Sequence, residues 1–186
     1  IIDGDRGKNY PKSEDFLSEG YCLFLNTKNV LKNGFNFSVN KFITKEKSNQ
    51  LRKGKLKRND VVLTTRGTIG NTAYYDNNVQ YENIRINSGM LIFRSQEDEI
   101  LSEFLFYFFQ SSNFIKQYKA LLSGTAQPQL PISSLKNVKI PVPDTSVQKD
   151  IIQKIKEELV IIENNKKIIN SMQEKINNLI SKLYIN

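Results

Sequence analysis

The sequence predicts an α+β chain: a head built on a small sheet, then one long C-terminal helix. Two observations carry this. Up to about Pro143, short β-like runs alternate with turn residues and a few helical stretches. From Gln148 to Leu183 there is neither proline nor glycine, and Ile155, Ile162, Ile169, Ile176 and Leu183 recur every seven residues. The expected division is therefore 1–143 for the head and 144–186 for the helix.

Within the head, Tyr21 to Leu25, Asp60 to Thr65, Thr72 to Tyr75 and Gly89 to Arg94 are rich in β-branched, aromatic and aliphatic residues and are bounded by Asn, Gly or Asp, which reads as strands. Ile100, Leu101, Phe104, Leu105 and Phe108 recur at helical spacing, as do Phe114, Ile115, Tyr118, Leu121 and Leu122 after Ser111-Ser112. Such stripes suit either an aromatic nucleic-acid platform or core packing, and closing a domain over a sheet is the ordinary use. After Pro141-Val142-Pro143, Thr145-Ser146-Val147-Gln148 fits a capping box that starts a helix. Leu159, Met172, Leu179 and Ile180 widen its seam, which Asn165 and Lys166 interrupt. At about 1.5 Å per residue the rod is roughly 54 Å long and should project from the head. A projecting apolar stripe needs a partner helix; the alternative is a helix folded back on its own domain.

Composition limits the chemistry. There is no histidine and one cysteine, Cys22, so His-dependent triads, zincin chemistry, disulfide frameworks and multi-cysteine zinc sites are excluded for this chain. No apolar run approaches the roughly 18 residues of a membrane span, and no signal peptide is visible at Ile1, so the expected location is the cytoplasm. The absence of an initiating methionine fits a fragment. The net charge is +8, and its position is more informative than its size. Lys41, Lys45, Lys47, Arg52, Lys53, Lys55, Lys57 and Arg58 stand against a single acid, Glu46, between positions 41 and 58. Focused positive charge attracts phosphate and releases counterions on binding DNA or RNA, although a solvated lysine-rich surface has the same composition.

Three motifs stand out. Thr64-Thr65-Arg66-Gly67-Thr68-Ile69-Gly70 places a basic residue at a strand end and turns through two glycines, exposing backbone N–H groups and a guanidinium fork; a hairpin with a structural arginine has the same pattern. It lacks the Gly-Lys-Ser/Thr of a P-loop, and no glycine-rich AdoMet loop is present. In Tyr81 to Ser88, Glu82, Asn83, Arg85 and Asn87 carry groups that read base edges if they share one exposed face, and form a polar surface strand otherwise. No acid-x-Lys element supports a metal nuclease. Gly124-Thr125-Ala126-Gln127-Pro128-Gln129-Leu130 reads as an ordered loop.

In this order, Asp3-Gly4-Asp5-Arg6, the Thr65 to Gly70 turn, Ile86-Asn87-Ser88-Gly89, Gly124 to Leu130, Pro141-Val142-Pro143, Gln148 and the heptad helix resemble one half of a type I restriction-modification specificity subunit: a target recognition domain and its spacer helix. The resemblance implies a compact α+β domain with a small, mainly antiparallel sheet, bound to double-stranded DNA at one half of a bipartite site. It implies a helix packed antiparallel on that of a second recognition half, and docking to modification (methyltransferase) and restriction subunits. AdoMet, ATP and Mg would reside on those partners, with no cofactor, metal or catalytic residue here. A full subunit carries two such units and this chain one, so a homodimer reading a palindromic, interrupted site is one expectation. The recognition module of a single-chain enzyme and a non-catalytic protein-interaction scaffold are the alternatives.

On this reading Arg6, Lys8, Lys45, Arg52, Lys53 and Lys55 are phosphate candidates, and Arg66, Glu82, Asn83, Arg85 and Asn87 base-contact candidates. Ile155, Leu159, Ile162, Ile169, Ile176 and Leu183 are the partner-helix face.

Overall fold

The structure, a computed structural model, describes residues 1–96, 99–124 and 128–181. Two compact units divide at Thr145/Ser146. In the first, β1 (Ile2–Asp3), β9 (Met90–Phe93), β6 (Val61–Thr64) and β7 (Thr72–Tyr74) form an antiparallel sheet in the order β1-β9-β6-β7. A second sheet has the order β5-β2-β8, from β5 (Phe42–Ile43), β2 (Cys22–Leu25) and β8 (Ile84–Ile86), and β3 (Val30–Leu31) pairs with β4 (Gly34–Phe35). Among the described residues, five of the six strand pairings are antiparallel; β2 with β8 is parallel.

Strand alternation explains how these sheets stack. On β6, Val62 enters a core shared with Leu23 and Leu25 of β2 and Ile84 and Ile86 of β8. Its neighbours Val61 and Leu63 enter a second core with Phe108, Phe109 and Phe114. The four-stranded sheet is thus buried on both faces, between the three-stranded sheet and the helices α2 (Ser102–Gln110) and α3 (Ser112–Ala120). The aromatic stripe of those helices is core, each fully buried side chain contributing about 1.5–3 kcal/mol. The alternate residues of β2, Cys22 and Phe24, pack with Ile43 and Leu51 in a third cluster, beside α1 (Lys45–Gln50), which Thr44 caps by accepting the Lys47 N–H. A short α4 (Ile132–Leu135) follows.

The second unit is α5 (Thr145–Ser181), 37 residues or about 55 Å. It begins at Thr145 itself, the residue expected to precede it. Its apolar stripe is exposed: Leu159 at 44%, Ile169 at 55% and Ile176 at 59%, with Ile162 and Met172 similar, while Ile155 is half-buried. Leu183 lies outside the described residues. Among the described residues no helix is long and apolar enough to cross a membrane.

Candidate nucleic-acid interface

The turn after β6 and the turn after β8 are locked to each other through one carbonyl. Gly89 O accepts from Thr65 N at 2.8 Å, from Arg66 N at 3.3 Å and from the Thr65 hydroxyl at 3.2 Å. Asn87 Oδ1 in turn accepts the Gly89 N–H at 2.9 Å, and Asn87 N donates to Leu25 O at 3.1 Å. Gly67 has a positive φ of 67°, which the tight turn after Arg66 requires. The N-terminal segment closes this end of the head. A Cβ on Gly4 would stand 2.1 Å from Asn87 O, so only glycine passes there. Arg6 then donates to Ser88 O at 3.2 Å and pairs with Asp3. Arg6, Arg66 and Asn87, far apart in sequence, therefore meet at one end of the sheets.

The loop before α4 joins them. Gln129 and Ser123 exchange backbone hydrogen bonds at 3.0 and 2.9 Å, and Leu130 N donates to Thr65 O at 3.0 Å. This places Gln129 and Ser133 with Arg6 and Arg66 around a cleft of about 300 Å³. Of the loop motif in the sequence, Thr125 to Gln127 lie outside the described residues.

A second basic group flanks the N-terminal segment. Asp5, buried, accepts the backbone N–H groups of Gly7 and Arg52, both at 2.6 Å, and of Lys53 at 3.3 Å. Burial works to raise its pKa, but these three hydrogen bonds and the Arg52 charge together hold the carboxyl below its ordinary value. The result is a fixed backbone with the Lys8, Arg52 and Lys53 side chains exposed to solvent. Lys55 is exposed two residues further on, and Lys45 is exposed with its ammonium 5.7 Å from the Tyr21 ring centroid.

Arg85, by contrast, is not exposed, and Glu82 and Asn83 stand apart from Asn87. Arg85 is buried: its Nε donates to Ser48 Oγ at 2.9 Å and its Nη1 to Lys53 O at 2.8 Å. Burial pushes its pKa below the ordinary guanidinium value, with Cys22 and Asp5 acting against that shift. It is not on an exposed face, because Ile84 and Ile86 fill one core and alternation sends Arg85 under α1. Glu82 and Asn83 precede β8 whereas Asn87 follows it, so they stand at opposite ends of that strand rather than in one reading row. In the basic stretch, Lys47 is paired with Asp15 at 2.9 Å. Arg58 is pinned to Asp76 O and Val79 O over the Tyr75 ring.

Sequence reading did not single out Gln129 as a site residue, its only signal being its loop.

Known proteins show the same architecture. The family described as the type I restriction modification DNA specificity domain matches residues 1–174. The chain belongs to this family. It is 37% identical over 95 residues to the type I restriction enzyme MjaVIII specificity subunit of Methanocaldococcus jannaschii, a match covering 50% of this chain and 22% of that subunit. It is 25% identical over 139 residues to the Escherichia coli EcoBI specificity subunit, covering 74% of this chain and 28% of that one. The chain thus spans well under half the length of these relatives. Among solved structures, a chain from a type I R-M system described for its complex assembly and conformational transition superposes with a TM-score of 0.70 at 16% identity, over 96% of this chain and 40% of that one. The HsdS subunit of Thermoanaerobacter tengcongensis gives 0.60 at 18%, over 88% of this chain and 36% of its own.

Proposed function

We propose that this chain reads one half of a bipartite duplex DNA site as half of a type I specificity subunit, and directs modification and restriction subunits to it without catalysing a reaction itself. The observation that carries this reading is the meeting of Arg66 and Asn87 on two turns fixed by the Gly89 carbonyl with Arg6 of the N-terminal segment, beside the exposed Lys8, Arg52 and Lys53. A rigid turn that presents a guanidinium suits base edges, since Arg pairs with guanine. Mobile lysines on an adjacent surface suit phosphates. AdoMet, ATP and Mg belong to the partner subunits in this scheme, and the location is cytoplasmic.

The helix supplies the second half of the reading. Ile155 and Ile176, and Ile162 and Ile169, are placed symmetrically about Asn165-Lys166. An antiparallel twin therefore sets isoleucine against isoleucine on both sides of a polar centre, as self-pairing of the exposed stripe requires. A second copy is the simplest partner, and the two heads would then read a palindromic, interrupted site.

Selection of bound duplexes from a random pool, with and without a modification subunit, tests this reading. The expected product is two short fixed sequences related by a twofold axis around a spacer of constant length. A pool that returns no enriched sequence in either arm refutes sequence reading by this chain.

A further inference from the structure

A second concavity of about 500 Å³ is lined in part by Asn87, next to the reading turns. Its floor is aromatic. Phe24 is buried, and Phe16 packs on it with ring centroids 5.6 Å apart. Its rim is cationic: Lys28 and Lys41 are both exposed, and Lys41 holds its ammonium 5.1 Å from the Phe16 ring centroid. Two amides complete the lining, and both have their oxygens engaged. Asn26 Oδ1 accepts from Lys28 N at 2.9 Å and Asn87 Oδ1 from Gly89 N at 2.9 Å, which turns the NH₂ groups into the available ends. The cleft also adjoins the Arg66 turn, because Thr68 Oγ1 donates to Thr27 O at 3.4 Å.

A stacking surface, two amide donors and two ammonium groups within one recess match one ligand chemistry: a flat ring with acceptor atoms on its edge and a phosphate attached. A paired base cannot enter, since its faces are covered by its neighbours in the stack. From the cleft's shape, charge and position we infer that it receives one unpaired nucleobase of the bound DNA, stacked on Phe16, with its edge on Asn26 and Asn87 and its phosphate on Lys28 and Lys41. The Lys41 ammonium, on a flexible exposed stem, leaves the ring face for the phosphate as the base arrives. This rests on the reading of the chain as a DNA-binding protein.

The test uses the full chain and two duplexes of the same sequence, one fully paired and one carrying a single extrahelical 2-aminopurine. The expected results are tighter binding of the bulged duplex, by about 5-fold or more for one stacked base, and quenching of 2-aminopurine fluorescence on binding. Phe16→Leu, which keeps an apolar side chain in the cluster but removes the ring face, should lose the preference while leaving affinity for the paired duplex nearly unchanged and the cooperative melting transition in place, and Lys41→Gln at the exposed rim should reduce the preference as well. Equal binding of the two duplexes with unaltered fluorescence overturns the inference and leaves DNA reading intact. Failure to bind either duplex, with or without a modification subunit, overturns both. Binding of free thymidine 5′-monophosphate at these residues, with no response to the bulge, assigns the cleft to a small nucleotide and equally overturns the inference.

Discussion

The Asp5 carboxylate accepts the backbone N–H of Arg52 at 2.6 Å, across 47 residues of sequence. That bond, with those to Gly7 and Lys53, fixes the N-terminal segment against the basic stretch and so determines which lysines are left for a ligand. Asp5→Ala leaves three N–H groups without their acceptor and should cost about 1–3 kcal/mol of folding stability, read by chemical denaturation.

The same residue fixes a pH dependence. Its carboxyl is held below the ordinary value of 3.8 in the folded chain, so the unfolded chain takes up the proton first. The stabilising contribution is complete above that value and is lost as pH falls below it, through the folded-state pKa. Asp5→Asn should flatten the acid limb of a stability–pH curve below about pH 4 while leaving its slope near neutrality unchanged.

Arg85 and Lys53 test the division between structural charge and the charge proposed to bind DNA. Arg85→Met removes a buried, doubly hydrogen-bonded guanidinium and takes the Arg85 donors from Ser48 Oγ and Lys53 O, a loss of about 1–3 kcal/mol in stability. Lys53→Ala, at an exposed position, should leave the melting temperature within about 1 °C of the parent. It should nevertheless reduce the salt slope of duplex binding by about 1. Identical effects of the two substitutions on both measurements would refute the division of roles.

Gly70 has a positive φ of 87°, and a Cβ there would stand 2.7 Å from the Tyr118 ring. Gly70→Ala should therefore cost about 1–3 kcal/mol, from backbone strain and from overpacking together. In a Tyr118→Ala background only the backbone part remains, so a double-mutant cycle should return a coupling of about 1 kcal/mol or more.

Ile162→Lys and Ile169→Lys test the helix. Both side chains are about half exposed, so the head should keep its melting transition. Self-association, followed by sedimentation equilibrium, should be lost when either lysine has to be buried against the twin's isoleucine in the seam. A stable dimer of Ile162→Lys would show that another surface joins the copies.

Elements whose signal is local were legible in the sequence. The strands from Cys22, Val61, Thr72 and Met90, the helices from Ser102 and Ser112, and the long helix each begin within two residues of the expected place, because periodicity and turn residues are properties of adjacent positions. The two-residue strands β1, β3, β4 and β5 escaped, being too short to show any period. The parallel partnership of β2 with β8 escaped because its partners lie about sixty positions apart.

By itself, then, the sequence determined a mixed head, a heptad helix, the lack of histidine chemistry and a concentrated positive charge. Only the tertiary structure decided which charges are usable. Arg58 and Arg85 are drawn inward by carbonyls from distant segments, Lys47 is neutralised by Asp15, and Arg66 is carried to Asn87 and Arg6 by one glycine carbonyl. A side chain's charge is written in its own codon, but its exposure and neighbours depend on segments tens of residues away that pack on the same face.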